Sequence, residues 1–294
     1  MKKYVLIDIG GTSIKYGLLD ESEQLLESHE MATEAHKGGP EILRKVEKIV
    51  ATYLEKEELV GLCLSSAGMV DPDKGEIFYA GPQIPNYAGT QFKKVLEEKF
   101  SLPCEIENDV NCAGLAEVKS GSGQGAEVAL CLTVGTGIGG CLLINSQVFH
   151  GFSHSACEVG YLHLPDGEFQ DLASTTALVE YVADLHSDRP ASWDGRRIFR
   201  EAAAGNTLCL QGIERMVAYL AKGIANICYV ANPQVVILGG GIMAQQALLG
   251  PMLEKALEEN LVPSIADKTS LAFAHYQNTA GMLGAYYHFK SKHP

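Results

Sequence analysis

A chain of 294 residues with 46% hydrophobic and 20% charged residues has the composition of a folded globular protein, and its length suggests two domains. The formal net charge of −13 argues against a nucleic-acid partner, because phosphate backbones are bound by clustered Lys and Arg, whereas a nucleotide held through Mg²⁺ and backbone N–H groups is compatible with it. No apolar run approaches the ~20 residues that span a bilayer, and the first run meets an acid at Asp8, so we expect a cytoplasmic protein without a signal peptide.

The eight cysteines fit that compartment. Most lie inside apolar runs such as GLCLSS, ALCLTV and ANICYV, where a thiol behaves as a small core side chain. No C-x-x-C pair is present. The sequence therefore predicts neither a disulfide framework nor a zinc site built from cysteines.

The N-terminal half alternates between strand and helix patterns. Short apolar runs at 4–9, 14–19 and 24–31 predict a three-stranded meander. Residues 40–57 carry apolar side chains at helical spacing and predict an amphipathic helix. The further predicted elements are a buried strand at 59–68, a short strand at 76–80, a helix near 90–100, a strand at 104–109 and a helix that begins at Val110 or Asn111.

The strand pattern restarts at residue 127. EVALCLTV predicts a strand, GTGIGG a glycine turn and CLLI a second strand, and residues 206–231 predict a long helix. QVVILGGG at 234–241 predicts a strand that runs into a glycine loop and is followed by a helix. A final strand is predicted near 270–276 and a final helix near 279–290. The pattern is mixed α/β, with a domain boundary near 115–120.

Three glycine-rich turns lie at predicted strand ends. DIGGT at 8–12 and TVGTGIGG at 133–140 each join two apolar strands, about half a chain apart, as a gene duplication would leave them, and GGG at 239–241 follows a buried strand. A dinucleotide fingerprint or a P-loop needs a helix after its glycines, and neither spacing is present. One such hairpin is compatible with a plain β-turn, but three loops of this kind favour one nucleotide approached by backbone N–H groups between two domains.

Five ordered motifs carry a resemblance to a known family. DIGGTSIK, ENDVN, TVGTGIGG, CEVGY and LGGGI occur in the order found in the ROK family of sugar kinases, over nearly the whole chain. The resemblance implies an α/β, actin/hexokinase-like (ribonuclease H-like) fold of two lobes around a central cleft. Residues 1–117 would form the lobe with the first phosphate hairpin and the sugar and catalytic residues. Residues 118–294 would carry the second hairpin and the adenosine site, with the helix at about 279–290 returning to the first lobe. ATP, Mg²⁺ and a homodimer are implied in the same way.

Phosphoryl transfer from ATP to a sugar hydroxyl requires alignment, charge neutralisation and a group that accepts the hydroxyl proton. The resemblance assigns the catalytic base to Asp109 and lets Asn108 orient a neighbouring hydroxyl. From the residue types alone, both could instead cap the following helix. Asp8 lies on the first hairpin, where it suits a Mg²⁺ bound through water better than a base role.

The other site residues follow from the same resemblance. The nucleotide is assigned to the glycine turns, namely to Asp8, Gly10, Gly11, Thr12, Lys15, Thr133, Gly135, Thr136, Gly137, Gly139, Gly239, Gly240 and Gly241. The sugar is assigned to Gly68, Asn86, Asn108, Asp109, Glu158, Tyr161 and Gln170. From residue type alone, Asn86 could be only a turn residue and Glu158 only a surface acid.

One stretch departs from the family pattern. Many ROK proteins carry E-x-G-H followed by a cysteine cluster that binds structural zinc, but the stretch here is EVGYLHLPDGEFQDLASTTAL, with Tyr161 in place of the histidine. Cys157 and His163 remain, and two candidates do not make a tetrahedral site, so we expect no zinc. His154 and Cys157 occupy positions that are commonly glycine in the family, which predicts a different pocket near carbons 1 and 2 of the sugar.

The missing zinc cluster and the ending NTAGMLGAYYHF make the chain most similar to bacterial β-glucoside kinases, which phosphorylate the 6-hydroxyl of cellobiose-type sugars. We therefore expect a pocket that accepts a substituent on carbon 1. The alternatives within the family are an N-acetylmannosamine kinase and a glucokinase or fructokinase, and outside enzymes a catalytically silent sugar sensor. A ROK repressor is not expected, since the hairpin at residue 8 leaves no space before it for a DNA-binding domain.

Overall fold

Two five-stranded mixed sheets form the framework of the chain. The structure is a computed structural model and describes residues 2–294. The strands are β1 Lys3–Ile9, β2 Ser13–Asp20, β3 Leu25–Ala32, β4 Leu59–Ser66, β5 Met69–Asp71, β6 Glu76–Tyr79, β7 Cys104–Asn108, β8 Val128–Val134, β9 Ile138–Ile144, β10 Gln147–Val148, β11 His163–Leu164, β12 Gly167–Glu168, β13 Val235–Gly239 and β14 Ser270–Phe273. The helices are α1 Gly39–Leu54, α2 Phe92–Phe100, α3 Asp109–Ser120, α4 Phe169–Ala173, α5 Thr175–Leu185, α6 Gly195–Ala203, α7 Thr207–Ala231, α8 Gln246–Asn260, α9 Pro263–Ala266 and α10 Ala280–Lys292.

The chain divides into two compact units. Unit 1 consists of Met1–Lys119, His150–Ser155 and Asn278–Pro294, and unit 2 of Ser120–Phe149 and Ala156–Gln277. A short piece of the second half and the whole of α10 thus belong to unit 1. The predicted mixed α/β class is confirmed, and so are the long helices expected at 40–57 and 206–231, which are α1 and α7.

The sheet of unit 1 has the strand order β3-β2-β1-β4-β7. Strands β1 to β3 form the predicted antiparallel meander, while β1, β4 and β7 run parallel to one another. Because side chains alternate along a strand, Val5, Ile7 and Ile9 share one face, where they are buried in a core with α1. The parallel half of this sheet ends at the residues that the sequence singles out as catalytic.

The other face of the unit 1 sheet is covered by α10. Tyr4 and Leu6 are buried there with Met282 and Phe289. Glycines let the helix approach closely, since a Cβ on Gly281 would lie 2.6 Å from the Asp8 carboxyl carbon. Helix α10 therefore supports the strand that carries Asp8.

The sheet of unit 2 has the order β10-β9-β8-β13-β14, with β8 and β13 parallel. Its core is built around α7, whose buried side chains follow the predicted helical spacing, as at Ile213, Leu220 and Ile224. None of the eight cysteines lies in a disulfide and seven of them are buried, consistent with their expected role as small core residues. No helix within residues 2–294 is both long and apolar enough to cross a bilayer.

Helix α3 begins at Asp109, one residue before the predicted start at Val110. The reason is that Asn108 caps it: Asn108 Oδ1 accepts the backbone N–H groups of Val110 at 2.9 Å and Asn111 at 3.1 Å. The segment 150–205, for which the sequence indicates no element except the E-x-G turn, contains the hairpin of β11 and β12 and helices α4 to α6.

The packing of α10 on the sheet gives a stability prediction. Phe289 is 3% exposed, lies over Gly61, and packs edge-on against Tyr4 with ring centroids 5.7 Å apart. We expect Phe289→Ala to lower the free energy of unfolding by about 3–5 kcal/mol, because it leaves a cavity under the helix. Urea denaturation measures this, with Val230→Ala, at an 89% exposed position, as the control expected to change stability by less than about 0.5 kcal/mol. Equal losses in the two variants would contradict the packing role.

Candidate active site

Polar side chains meet at the carboxyl ends of the three parallel strands in unit 1. Asp8 of β1 is in register with Ser65 of β4, and Ser65 with Glu107 of β7. The Ser65 hydroxyl donates to Asp8 Oδ1 at 2.7 Å. Asp109 follows the end of β7. In open α/β sheets this edge is where ligands bind, so it is the candidate active site of unit 1.

Asn108 and Asp109 both accept backbone N–H groups at the start of α3, and Asn108 accepts more of them. Asn108 uses its side-chain oxygen for two backbone N–H groups and its amide for Gly68 O at 2.9 Å and Asp109 Oδ1 at 3.0 Å. Asp109 Oδ1 also accepts the N–H of Val110 at 2.9 Å. Neither the Asn108 amide nor the Val110 N–H bonds to Asp109 Oδ2. The capping interpretation therefore holds mainly for Asn108, and Asp109 keeps one carboxylate oxygen for a ligand.

The environment of Asp109 makes it a proton acceptor near neutral pH. Burial and the negative charge of Asp8 raise the pKa of Asp109 to about 7, against the hydrogen bond from the Val110 N–H. Burial also raises the pKa of Asp8, although the Ser65 hydrogen bond and the charge of Lys15 oppose it. Two neighbouring carboxylates of this kind are stabilised by a proton or a cation. They offer the hard oxygen donors that Mg²⁺ prefers, so the residues fit that ion.

The first glycine turn is held in place by the chain that follows β3. Gly10 N donates to Ser13 O at 3.0 Å, and the Thr33 backbone and hydroxyl bond to Thr12 O at 2.9 Å and Gly10 O at 2.6 Å. Lys15 lies opposite Asp8 in the strand pair, and its ammonium donates to Asn278 O at 3.4 Å. The predicted hairpin residues Gly11 and Thr12 are exposed at the turn.

At three positions, one in each glycine turn, the protein's own packing and backbone conformation do not require glycine. A Cβ on Gly11, Gly135 or Gly241 would meet no protein atom within 4 Å, and none of the three has a left-handed φ. In contrast, Gly240 has φ of +103° and lies directly against Val134 of the second hairpin. Open space in front of Gly11, Gly135 and Gly241 is what close approach of a ligand to the backbone would require.

Unit 2 contains a cavity of about 610 Å³ beside the second and third glycine turns. Gly135, Thr136 and Gly241 line it, and Gly239 pairs in register with Thr133. Its other lining residues come from the segment that the sequence left unassigned: Thr175, Thr176, Val179, Glu180, Pro190, Trp193, Asp194, Gly195, Arg196 and Phe199, with Ile242 and Gln245 after the third turn. The aromatic and apolar side chains among them suit a flat ring, and the glycine turns an anionic group.

The E-x-G element packs on the second hairpin. A Cβ on Gly160 would lie 3.0 Å, and one on Gly137 2.9 Å, from the Gln170 side-chain oxygen, so Gln170 sits against both turns. Cys157 has φ of +64°, and its carbonyl lies 2.7 Å from where a Cβ of Gly140 would be. Tyr161 is 50% exposed, and Glu158 is exposed. Unit 2 thus brings together Gly137, Gln170 and the E-x-G element.

The remaining predicted residues belong to unit 1. Gly68, at φ of +90°, bonds to Asn108 and so belongs to the Asp109 cluster. Asn86 is exposed at φ of +52° and has no hydrogen bond to Asn108 or Asp109, although the hydroxyl of its neighbour Tyr87 lies 2.6 Å from that of Ser66. Four of the residues assigned to the sugar therefore belong to unit 1 and three to unit 2. The three in unit 2 are Glu158, Tyr161 and Gln170.

A sequence profile of the ROK family matches residues 4–292. The chain belongs to the ROK family. This ROK protein is 49% identical over 290 residues to an uncharacterized protein of Clostridium perfringens, covering 99% of this chain and 98% of the relative. It is 31% identical over 296 residues to a β-glucoside kinase of Listeria monocytogenes, covering 98% and 97%. A ROK family glucokinase from Streptomyces griseus, solved in complex with glucose and AMPPNP, has a TM-score of 0.82 at 25% identity, covering 96% and 97%. The fold is accordingly the actin/hexokinase-like fold of the family.

The coupling between the two carboxylates can be tested directly. We expect Asp8→Asn to lower the pKa of Asp109, because it removes the neighbouring negative charge. Titration of ¹³C-labelled aspartate carboxyls by NMR measures the shift. Asp267→Asn, at an exposed position of unit 2, is the matched control and should leave the Asp109 titration in place. An Asp109 midpoint that is the same in wild type and Asp8→Asn would show that the two groups are not coupled.

Proposed function

We propose that this ROK protein transfers the γ-phosphoryl group of ATP to the 6-hydroxyl of a sugar, and that its preferred substrates are β-glucosides such as cellobiose. The observation that carries the proposal is Asp109: the Asn108 amide and the Val110 N–H bond to its Oδ1 and leave Oδ2 to a ligand, and its pKa is raised to about 7. A base with such a pKa can accept a hydroxyl proton at neutral pH.

In the proposed reaction, the sugar hydroxyl donates a hydrogen bond to Asp109 Oδ2. As its oxygen bonds to the γ-phosphorus and the bond to the ADP oxygen breaks, the proton passes to Asp109. Asn108 holds the other carboxylate oxygen through its amide, at 3.0 Å, and so fixes the direction of Oδ2. A direct contact of Asn108 with a neighbouring sugar hydroxyl stays a prediction.

The nucleotide is assigned to the glycine turns and to the unit 2 cavity. Open space at Gly135 and Gly241 supports phosphate approach there, and Trp193 with Phe199 supports an adenine ring nearby. Gly10 to Thr12 and Lys15 of the first hairpin are proposed for phosphate contacts. A Mg²⁺ held by Asp8 through water would neutralise charge on the phosphates, which fits the raised pKa of this carboxyl.

The substrate class rests on the E-x-G element. Tyr161 is half exposed beside the second hairpin, and Gln170 packs against Gly137 and Gly160. The similarity to a β-glucoside kinase supports a pocket that accepts a substituent on carbon 1. A glucokinase is the second candidate, because the S. griseus neighbour bound to glucose has the same fold. We also propose a cytoplasmic homodimer with no zinc, nucleic-acid or membrane partner.

The function is tested by ADP release with Mg·ATP across cellobiose, gentiobiose, arbutin, glucose, fructose, mannose and N-acetylmannosamine. We expect the highest kcat/KM with the β-glucosides, and Tyr161→His should shift the ratio of kcat/KM for cellobiose over glucose toward glucose. An unchanged ratio would refute the role of Tyr161. Turnover of a free monosaccharide alone would refute the β-glucoside class but not the kinase. Sugar binding without any ADP release would favour the silent sensor.

The base assignment gives a second prediction. We expect Asp109→Asn to lower kcat by roughly 10²- to 10⁴-fold, because asparagine cannot accept the proton. Nucleotide binding should persist, and the fluorescence of Trp193, the single tryptophan of the chain, reports it from the unit 2 cavity. Asp267→Asn is again the control, with unchanged kcat expected. A kcat for Asp109→Asn within threefold of wild type would exclude Asp109 as the base.

A further inference from the structure

The segment His150–Ser155 belongs to unit 1, although the chain on both sides of it belongs to unit 2. It carries two histidines whose rings lie edge to face with centroids 5.8 Å apart. His150 Nε2 lies 2.6 Å from Glu107 Oε2, and His154 Nε2 lies 3.7 Å from Asp71 Oδ1. Shortly after the segment the chain enters the E-x-G element at Glu158. The shorter of the two contacts joins this segment to β7, the strand that leads to Asp109.

Glu107 is the point at which the segment meets the catalytic strand end. Its side chain is fully buried. Glu107 Oε1 accepts the backbone N–H of Asn108 at 2.7 Å and the side-chain amide of Asn111 at 3.0 Å, while Oε2 receives His150. One carboxylate therefore orients both sides of the turn that presents Asp109. A buried carboxylate needs such partners, and His150 is the one that comes from outside β7 and α3 at hydrogen-bond distance.

We propose that His150 is a positioning residue for sugar binding: by donating to Glu107 it holds segment 150–155 on β7 and keeps the Asn108–Asp109 turn in its binding geometry. The inference rests on the proposed sugar kinase function. His150 itself need not touch the sugar or the nucleotide. Its predicted effect is on the affinity for sugar, because the turn and the segment are both connected to residues assigned to the sugar.

The charges around His150 set the direction of its pH dependence. The hydrogen bond to Glu107 raises the pKa of His150, against its burial and the positive charge of Lys292 on α10, while Asp73 adds to the rise. Burial would raise the pKa of Glu107, but His150 and His288 hold it below its usual range. Lys292 is 3.1 Å from Asp73, and Lys74 is 3.0 Å from Asp71, so the acids near His154 have cationic partners of their own.

A raised histidine pKa means that the charged pair is complete at low pH and is lost as pH rises through the folded-state pKa of His150. The same pair gains strength from charge assistance, so its loss weakens the link between the segment and β7. The wild-type KM for sugar should therefore increase on the alkaline side of this titration. The KM for ATP, whose proposed cavity lies in unit 2, should stay level.

The test is steady-state kinetics from pH 6 to 9 with the wild type and His150→Gln. The control is His29→Gln, which replaces an exposed histidine of the edge strand β3. We expect His150→Gln to raise the KM for sugar roughly tenfold at pH 6.5 and to abolish its increase with pH. The KM for ATP should change by less than about twofold, because the proposed nucleotide cavity lies in unit 2. The control should follow wild type. A His150→Gln profile of sugar KM equal to that of wild type would overturn the proposal, and so would equal losses in kcat and in both KM values.

A measurement on the wild type keeps the proposal testable if the variant does not fold. Since protonated His150 is expected to favour sugar binding, saturating sugar should raise its pKa by the reciprocal linkage, as followed by NMR of the nine imidazoles. An unchanged His150 titration would contradict the proposal. If wild type phosphorylates no sugar, the kinase function fails separately, and calorimetric sugar affinity at pH 6.5 and 8.5 then decides the role of His150.

Discussion

Two like charges, Asp8 and Asp109, are held at the carboxyl edge of one sheet, and much of unit 1 is arranged around them. Ser65 donates to Asp8, Asn108 donates to Asp109, and Gly281 lets α10 approach the Asp8 carboxyl. Burial raises the pKa of Asp8, and burial together with the negative charge of Asp8 raises the pKa of Asp109 to about 7. The fold thus gives Asp109 a pKa at which its carboxylate exchanges a proton near neutral pH, as the proposed base role requires.

The glycine turns contain positions where packing requires glycine and positions where it does not. Gly240 and Gly281 are required by the protein itself, since a side chain would collide with Val134 or with Asp8. Gly11, Gly135 and Gly241 face open space at ordinary φ. The protein's own packing gives no reason for glycine at these three positions, which supports the proposed approach of a ligand to the backbone there.

The sequence was sufficient for elements with long, regular periodicity, such as α1, α7 and the β1–β3 meander, and for Asp109 at a strand end. It indicated no helix in 169–203, where α4 to α6 are short. Phe199 of α6 and Trp193, just before α6, line the cavity. The contact of His150 with Glu107 joins residues 43 positions apart, and neither has a local pattern that could reveal it. A glutamate in strand CEIEND suggests a surface position, yet Glu107 is fully buried because histidine and asparagine partners satisfy it.

We propose that Asp109 is the base and that its environment sets the working pH. The most direct measurement compares the NMR titration of the Asp109 carboxyl in the free wild-type protein with the acid limb of kcat/KM for the best sugar. We expect both to have the same midpoint, near the pKa of about 7 that burial and the charge of Asp8 give Asp109. A rate that stays constant while the Asp109 carboxyl titrates would contradict it.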